Sequence, residues 1–149
     1  RQILGVFAAK LTETLASVLG NLGAEDAMVV HGEDGLDEIT LTATTQISEA
    51  TGGILSNYLL DPAEFGLALV PAKQLAGGTP QENAAITRDI LQGRKGPKRD
   101  IVCLSAAPAL VAARKATSLQ DGFLLAGQAI DSGAAAEKLA RLIAFTNKE

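Results

Sequence analysis

Residues 27–30 (Ala-Met-Val-Val) form a short, continuous apolar run that ends at a turn built on Gly32 and Gly35. A run of strand length with no polar alternation suits a strand buried on both faces, the kind found in parallel sheets. Before it, Val6, Leu11, Leu15, Val18, Leu19 and Leu22 recur mostly at three- and four-residue steps. That spacing predicts an amphipathic helix over residues 6–22, stopped at Gly23. A helix leading into a buried strand implies an α/β fold. Open α/β sheets place ligands at the C-terminal ends of their strands, and here that end is His31-Gly32.

The turn is crowded with charge. Glu33, Asp34, Asp37 and Glu38 place four carboxylates within six residues. Clustered acids repel one another unless water or a cation compensates. Mg²⁺ suits such a place, because it takes a few carboxylate oxygens and keeps waters and substrate phosphates as its other ligands. Adjacent residues on a strand point to opposite faces. A turn can bring two of them together or let each serve a different ion, and a solvated turn with no ion fits the spacing as well. His31 is the only histidine. It has no Ser or Cys partner at motif spacing and reads as structural, so no side chain is assigned a catalytic role. Gly32 and Gly35 read as residues that permit the turn.

Further along, residues 38–42 and 45–48 carry β-branched residues in rough alternation, Thr51-Gly52-Gly53 reads as a turn, and residues 54–60 as a further strand. Together they predict a small antiparallel section. Thr79-Pro80-Gln81-Glu82 is a helix start with a capping box and proline at the first helical position. That helix should end near Leu91, with Gly93 behind it, and Asn83 on it reads as structural. A second helix is expected from Lys98 or Arg99 to Ala113, with Pro108 placed to kink or break it. Ser118 caps a third, over residues 119–130, and a fourth covers residues 134–145. The result is α/β but strand-poor for its length. With an apolar opening at residues 1–7 and no initiating methionine, it reads as part of a larger domain.

Bulk properties exclude several classes. At 149 residues and 47% hydrophobic, the chain can bury a core and is not of disordered composition. A net charge of −4 counts against nucleic acid as a partner. The one dense basic stretch, Arg94-Lys95-Gly96-Pro97-Lys98-Arg99, reads as a solvated loop. Cys103 stands alone, so no internal disulfide forms, and it reads as a small packed hydrophobe. No run is long enough to span a membrane and no leader is visible, which makes the cytoplasm the expected setting.

In order along the chain, Val29-Val30-His31-Gly32 with Gly35-Leu36-Asp37-Glu38-Ile39 resembles the anthranilate phosphoribosyltransferases. Pro62-Ala63-Glu64-Phe65-Gly66-Leu67 resembles that family's Pro-Glu-Asp-Phe-Gly-Leu segment. Leu75-Ala76-Gly77-Gly78, Glu82-Asn83-Ala84, Ile90-Leu91-Gln92-Gly93, Gly96-Pro97, Arg99-Asp100 and the segment from Ala129 to Ala134 continue the likeness. It implies a partial α/β domain of the nucleoside phosphorylase/phosphoribosyltransferase type, with parallel strands, an antiparallel section and flanking helices. The implied reaction joins anthranilate to the ribose of phosphoribosyl pyrophosphate and releases pyrophosphate, with Mg²⁺, in tryptophan biosynthesis. By this resemblance Asp37 and Glu38 hold the metal. The family's Gly-Thr-Gly-Gly loop, its Lys-His-Gly-Asn segment, its anthranilate-contacting arginine and its dimer-forming helical domain are not in these residues. The resemblance therefore implies a C-terminal half, inactive alone, whose partners are its N-terminal half and, in the whole homodimeric enzyme, the two substrates. Ala43-Thr44 stands where Gly-Pro is usual, and Ser105 where Asn is usual. A nucleoside phosphorylase of the same fold class and a non-catalytic nucleic-acid-binding relative are the competing readings.

Overall fold

A computed structural model describes residues 1–147. Its sheet has four strands in the order β1-β2-β3-β4. They are β1 (Gln2–Gly5), β2 (Asp26–Gly32), β3 (Thr45–Thr51) and β4 (Ile54–Leu60). The apolar run is the axis of this sheet. Every residue of β2 is buried, and it pairs parallel to β1 on one side but antiparallel to β3 on the other.

The opening residues are a strand, which periodicity alone did not disclose. The first helix accordingly begins at Lys10 rather than at residue 6: α1 covers Lys10–Asn21. The Val6 N–H donates to the Val30 carbonyl at 3.0 Å, extending the β1–β2 pairing and withholding that residue from the helix. The helix still lays its apolar stripe on the sheet. Leu11, Leu15 and Leu19 pack with Ala16, Val29 and Ala50. Buried Thr12 accepts hydrogen bonds from Gln46 at 2.9 Å and Ser48 at 2.8 Å, tying α1 to β3.

Residues 38–42 are not a strand. Ile39 and Leu41 are buried, at 4% and 1% exposure, which produces the alternation read in the sequence. Their backbone nevertheless joins no ladder, because this arm folds back on the acidic turn. The hairpin between β3 and β4 is as expected. Gly52 and Gly53 have φ of 58° and 82°, the left-handed pair that a tight two-residue hairpin requires.

The other face of the sheet carries the larger core. Met28, Val30 and Ile47 pack with Leu60 and Leu104, and Ile101, Val111 and Phe123 close around them. The helices here are α2 (Pro80–Leu91), α3 (Pro97–Ala112), α4 (Leu119–Asp131) and α5 (Ala134–Thr146). The capping box at Thr79 and Glu82 and the Ser118 cap both form. Pro108 does not end α3. It gives up one backbone hydrogen bond, but Leu104, Ala107, Pro108 and Ala112 are all buried and hold the helix together. A side chain at Gly122 would meet the Ala107 carbonyl at 2.7 Å, so α3 and α4 touch backbone to backbone. Among the described residues no helix is long and apolar enough to cross a membrane.

Candidate metal-binding loop

Residues 33–44 connect β2 to β3 and lie across the C-terminal ends of β1 and β2. Backbone bonds pin both arms of the loop. The Gly32 N–H donates to the Leu36 carbonyl at 2.8 Å, and the Glu33 N–H donates to the Thr44 carbonyl at 2.9 Å. Two glycines allow the close fit underneath. A Cβ at Gly5 would run into the carbonyl of Asp37. A Cβ at Gly32 would stand 2.5 Å from Oδ1 of Asp34 and 3.2 Å from the carbonyl of Glu38.

Within this frame the four acids separate into two pairs. Asp34 works inside the loop. Its Oδ2 accepts from the Thr40 hydroxyl at 2.6 Å and from the Thr42 hydroxyl, and its Oδ1 accepts from the Leu36 N–H at 3.2 Å. Burial pushes the Asp34 carboxyl up, but the hydrogen bonds from Thr40, Thr42 and Leu36 outweigh it and hold the group below the usual carboxylate value. Glu33 accepts from the Thr44 hydroxyl. Asp37 and Glu38 differ from both. All four acids are exposed, but neither of these two side chains has a hydrogen-bond or ion-pair partner among the described residues.

No group of three or more His, Cys, Asp or Glu side chains that could enclose a metal ion occurs among the described residues. A metal held by protein ligands alone is therefore not built here. Two free carboxylates on a braced loop fit a hard cation that keeps waters or phosphate oxygens in its remaining positions, as Mg²⁺ does. His31 is placed otherwise. It is buried at the end of β2, and its Nδ1–H donates to the Val6 carbonyl at 2.8 Å.

The sequence did not disclose the bracing role of Asp34, Thr40, Thr42 and Gly5. An Asp-Gly pair is a recognised signal for a side chain that bonds the backbone two residues on, and Asp34 does this with Leu36. A glycine ending a strand signals close backbone approach, which Gly5 provides. Nothing in the spacing pairs Asp34 with threonines six and eight residues away. Of the two departures from the family pattern, Thr44 bonds Glu33, whereas Ser105 is exposed on α3.

The basic stretch is a junction that is solvated at its start: Arg94 and Lys95 form the expected loop with side chains 74% and 71% exposed, whereas Lys98 and Arg99 lie in α3. Arg94 pairs with Asp89 at 2.5 Å, and Lys95 with Asp131 at 3.2 Å. Lys98 donates to the Ala76 carbonyl. Arg99 is buried, and its Nη2 donates to Asp131 at 2.9 Å and to the Gly127 carbonyl at 3.2 Å. These bonds fasten α3 to α4 beside an open cleft of about 360 Å³ between α2 and α3. Cys103 is buried next to Arg99, and burial pushes its thiol up despite that guanidinium.

Residues 1–136 match the family described as "Glycosyl transferase family, a/b domain". The chain is 53% identical over 146 residues to the anthranilate phosphoribosyltransferase of Desulfosudis oleivorans, an alignment that takes in 97% of this chain and 43% of that protein. It is 48% identical over 147 residues to that of Symbiobacterium thermophilum, across 99% of this chain and 43% of the relative. Among solved structures, the anthranilate phosphoribosyltransferase of Thermus thermophilus superposes with a TM-score of 0.87 at 41% identity, over 97% of this chain and 42% of that one. The Saccharomyces cerevisiae enzyme, solved in complex with PRPP and Mg, gives 0.82 at 26% identity, over 93% and 40%. The chain thus spans a little over two-fifths of the length of the curated relatives it matches.

Proposed function

Because the chain belongs to the glycosyl transferase family, to whose α/β domain it corresponds, we propose that it forms the metal-holding wall of an anthranilate phosphoribosyltransferase. The whole enzyme transfers the phosphoribosyl group of phosphoribosyl pyrophosphate to anthranilate and releases pyrophosphate. Asp37 and Glu38 hold Mg²⁺. One observation carries this assignment: of four crowded, exposed acids, only these two are free of partners among the described residues, on a loop whose other acids brace it. The close relatives and the PRPP- and Mg-bound yeast structure support it. Neither the nucleoside phosphorylase nor the nucleic-acid reading draws support from those relatives.

Bound Mg²⁺ supplies positive charge against the charge that grows on the departing pyrophosphate. The chain's own part is to place two carboxylates where the sheet's strands end and to keep them from turning inward. His31 fixes the end of β1 against β2 through the Val6 carbonyl. No protein nucleophile is required, because the amine of anthranilate attacks the ribose carbon. The glycine-rich pyrophosphate loop and the acceptor-binding arginine lie outside these 149 residues. We place them, with the helical domain and its homodimer contact, in the further length that the relatives carry. The chain alone is then inactive, and a cytoplasmic setting belongs to the same reading.

The test is a Mg²⁺ titration of the full-length protein carrying Asp37→Asn and Glu38→Gln. Turnover should fall by at least the roughly 10²- to 10³-fold typical of removing a group aimed at developing charge, with weaker Mg²⁺-dependent binding of phosphoribosyl pyrophosphate. A titration curve identical to that of the unaltered protein would remove the assignment.

A further inference from the structure

The loop presents Asp37 and Glu38 on a short arc. Leu36 precedes the arc directly, and Thr40 follows it two residues after Glu38. Both flanking residues donate to the same carboxylate. The Leu36 N–H reaches Oδ1 of Asp34 at 3.2 Å, and the Thr40 hydroxyl reaches Oδ2 at 2.6 Å. The Thr42 hydroxyl adds a further donor, and the Thr42 N–H in turn donates to the Thr40 oxygen at 3.0 Å. Thr40 is itself held from below, because it is fully buried and its N–H donates to Thr45 at 3.2 Å. Glu33, by contrast, bonds only at the foot of the loop, to Thr44.

Resting on the metal reading of Asp37 and Glu38, we propose that Asp34 is a positioning residue. Through Leu36, Thr40 and Thr42 it clamps both ends of the arc and so fixes how the carboxylate pair meets a divalent cation. A carboxylate has about four acceptor sites on its two oxygens. Three donors already occupy Asp34, which leaves it poorly suited to bind the ion itself. Partners that orient metal ligands typically affect metal affinity by 10- to 100-fold when removed. Buried Thr40 links the clamp to the core, so the arc is set by the fold rather than by the ion.

Replacing the threonines tests the clamp without touching any carboxylate. In the full-length protein, Thr40→Val with Thr42→Val keeps side-chain size and removes both hydroxyl donors. Calorimetry with Mn²⁺ and phosphoribosyl pyrophosphate reads metal binding, and amide hydrogen exchange over residues 33–44 reads loop order. The expected result is about 10-fold weaker Mn²⁺ binding with faster exchange in the loop. Asp34→Ala should match or exceed that loss. Asp34→Asn, which keeps one acceptor oxygen, should restore part of it, with kcat recovering at saturating Mn²⁺. If Asp34 were a ligand or a bystander, the threonine variant would bind Mn²⁺ as well as the parent or better, and the proposal would be overturned. Asp37→Asn with Glu38→Gln serves as the reference. Unchanged binding there would bring down the metal reading itself, whereas a loss there with none in the threonine variant would bring down only the clamp.

Discussion

The acidic turn and the basic junction each hold four charges in six residues, at positions 33–38 and 94–99. In the junction every cation is engaged: Arg94 with Asp89, Lys95 and Arg99 with Asp131, and Lys98 with the Ala76 carbonyl. In the turn two acids are engaged and two are left open, although the backbone that carries them is fastened at Gly32, Glu33 and Thr40. Charge density alone therefore separates nothing. What separates the two regions is whether the fold answers its own charges. On the proposed function, the braced loop with its two unanswered carboxylates is a place for a cation from outside.

That contrast can be broken at several points. Removing the open pair should have the largest effect, the severe loss of turnover expected of Asp37→Asn with Glu38→Gln. Next comes Gly5→Ala. Its methyl group would collide with the Asp37 carbonyl and must displace the loop or strand β1. Overpacking of this kind costs about 1–3 kcal/mol, so thermal melting of the full-length protein should show a lower Tm. Steady-state kinetics should show a higher Mg²⁺ requirement, whereas an unchanged Mg²⁺ requirement would mean that the loop does not depend on this seat.

Changes in the junction should act on stability and leave the metal dependence alone. Asp131→Asn removes the negative charge that pairs with buried Arg99 and should lower Tm at neutral pH without moving the Mg²⁺ half-saturation. The hydrogen bond from Arg99 holds the Asp131 carboxyl below its usual value, with Lys95 adding to it and burial opposing. A depressed folded-state value means that the stabilisation is fully present above the unfolded value of about 3.9 and is lost as pH falls through the folded one. Melting curves recorded from pH 7 down to below 4 should therefore converge for parent and variant at the acid end. The smallest effect belongs to Arg94→Gln. That pair is exposed, at 74% and 44% of the side chains, and should contribute roughly 0–1 kcal/mol, less in high salt.

Much of the scaffold could be read from the residues. The β2 run, the Gly-Gly hairpin, the capping box at Thr79 and the four later helices all rest on local patterns, and local patterns survive folding. The misses share a cause, which is that the deciding contact is remote in sequence. Strand β1 exists because Val30 and its neighbours accept its pairing some 25 residues later. Residues 38–42 alternate like a strand because Ile39 and Leu41 enter the core, while Asp34 draws their threonines away from any ladder. Arg99 lies in a charged run yet is buried, because its partner is 32 residues away. For the site, the sequence narrowed four acids to two through family resemblance. The same two are left without partners in the fold, and their bracing could be seen only in three dimensions.

On the proposed function, Asp37 and Glu38 together hold a divalent cation that accompanies phosphoribosyl pyrophosphate. Crystals of the full-length protein grown with Mn²⁺ and phosphoribosyl pyrophosphate would test it through the anomalous signal of the metal. The expected result is a Mn²⁺ peak at coordination distance, about 2.1 Å, from an oxygen of Asp37 and an oxygen of Glu38, with the diphosphate on its far side. A diphosphate-bound Mn²⁺ held by other residues, with both carboxylates facing solvent, would contradict it.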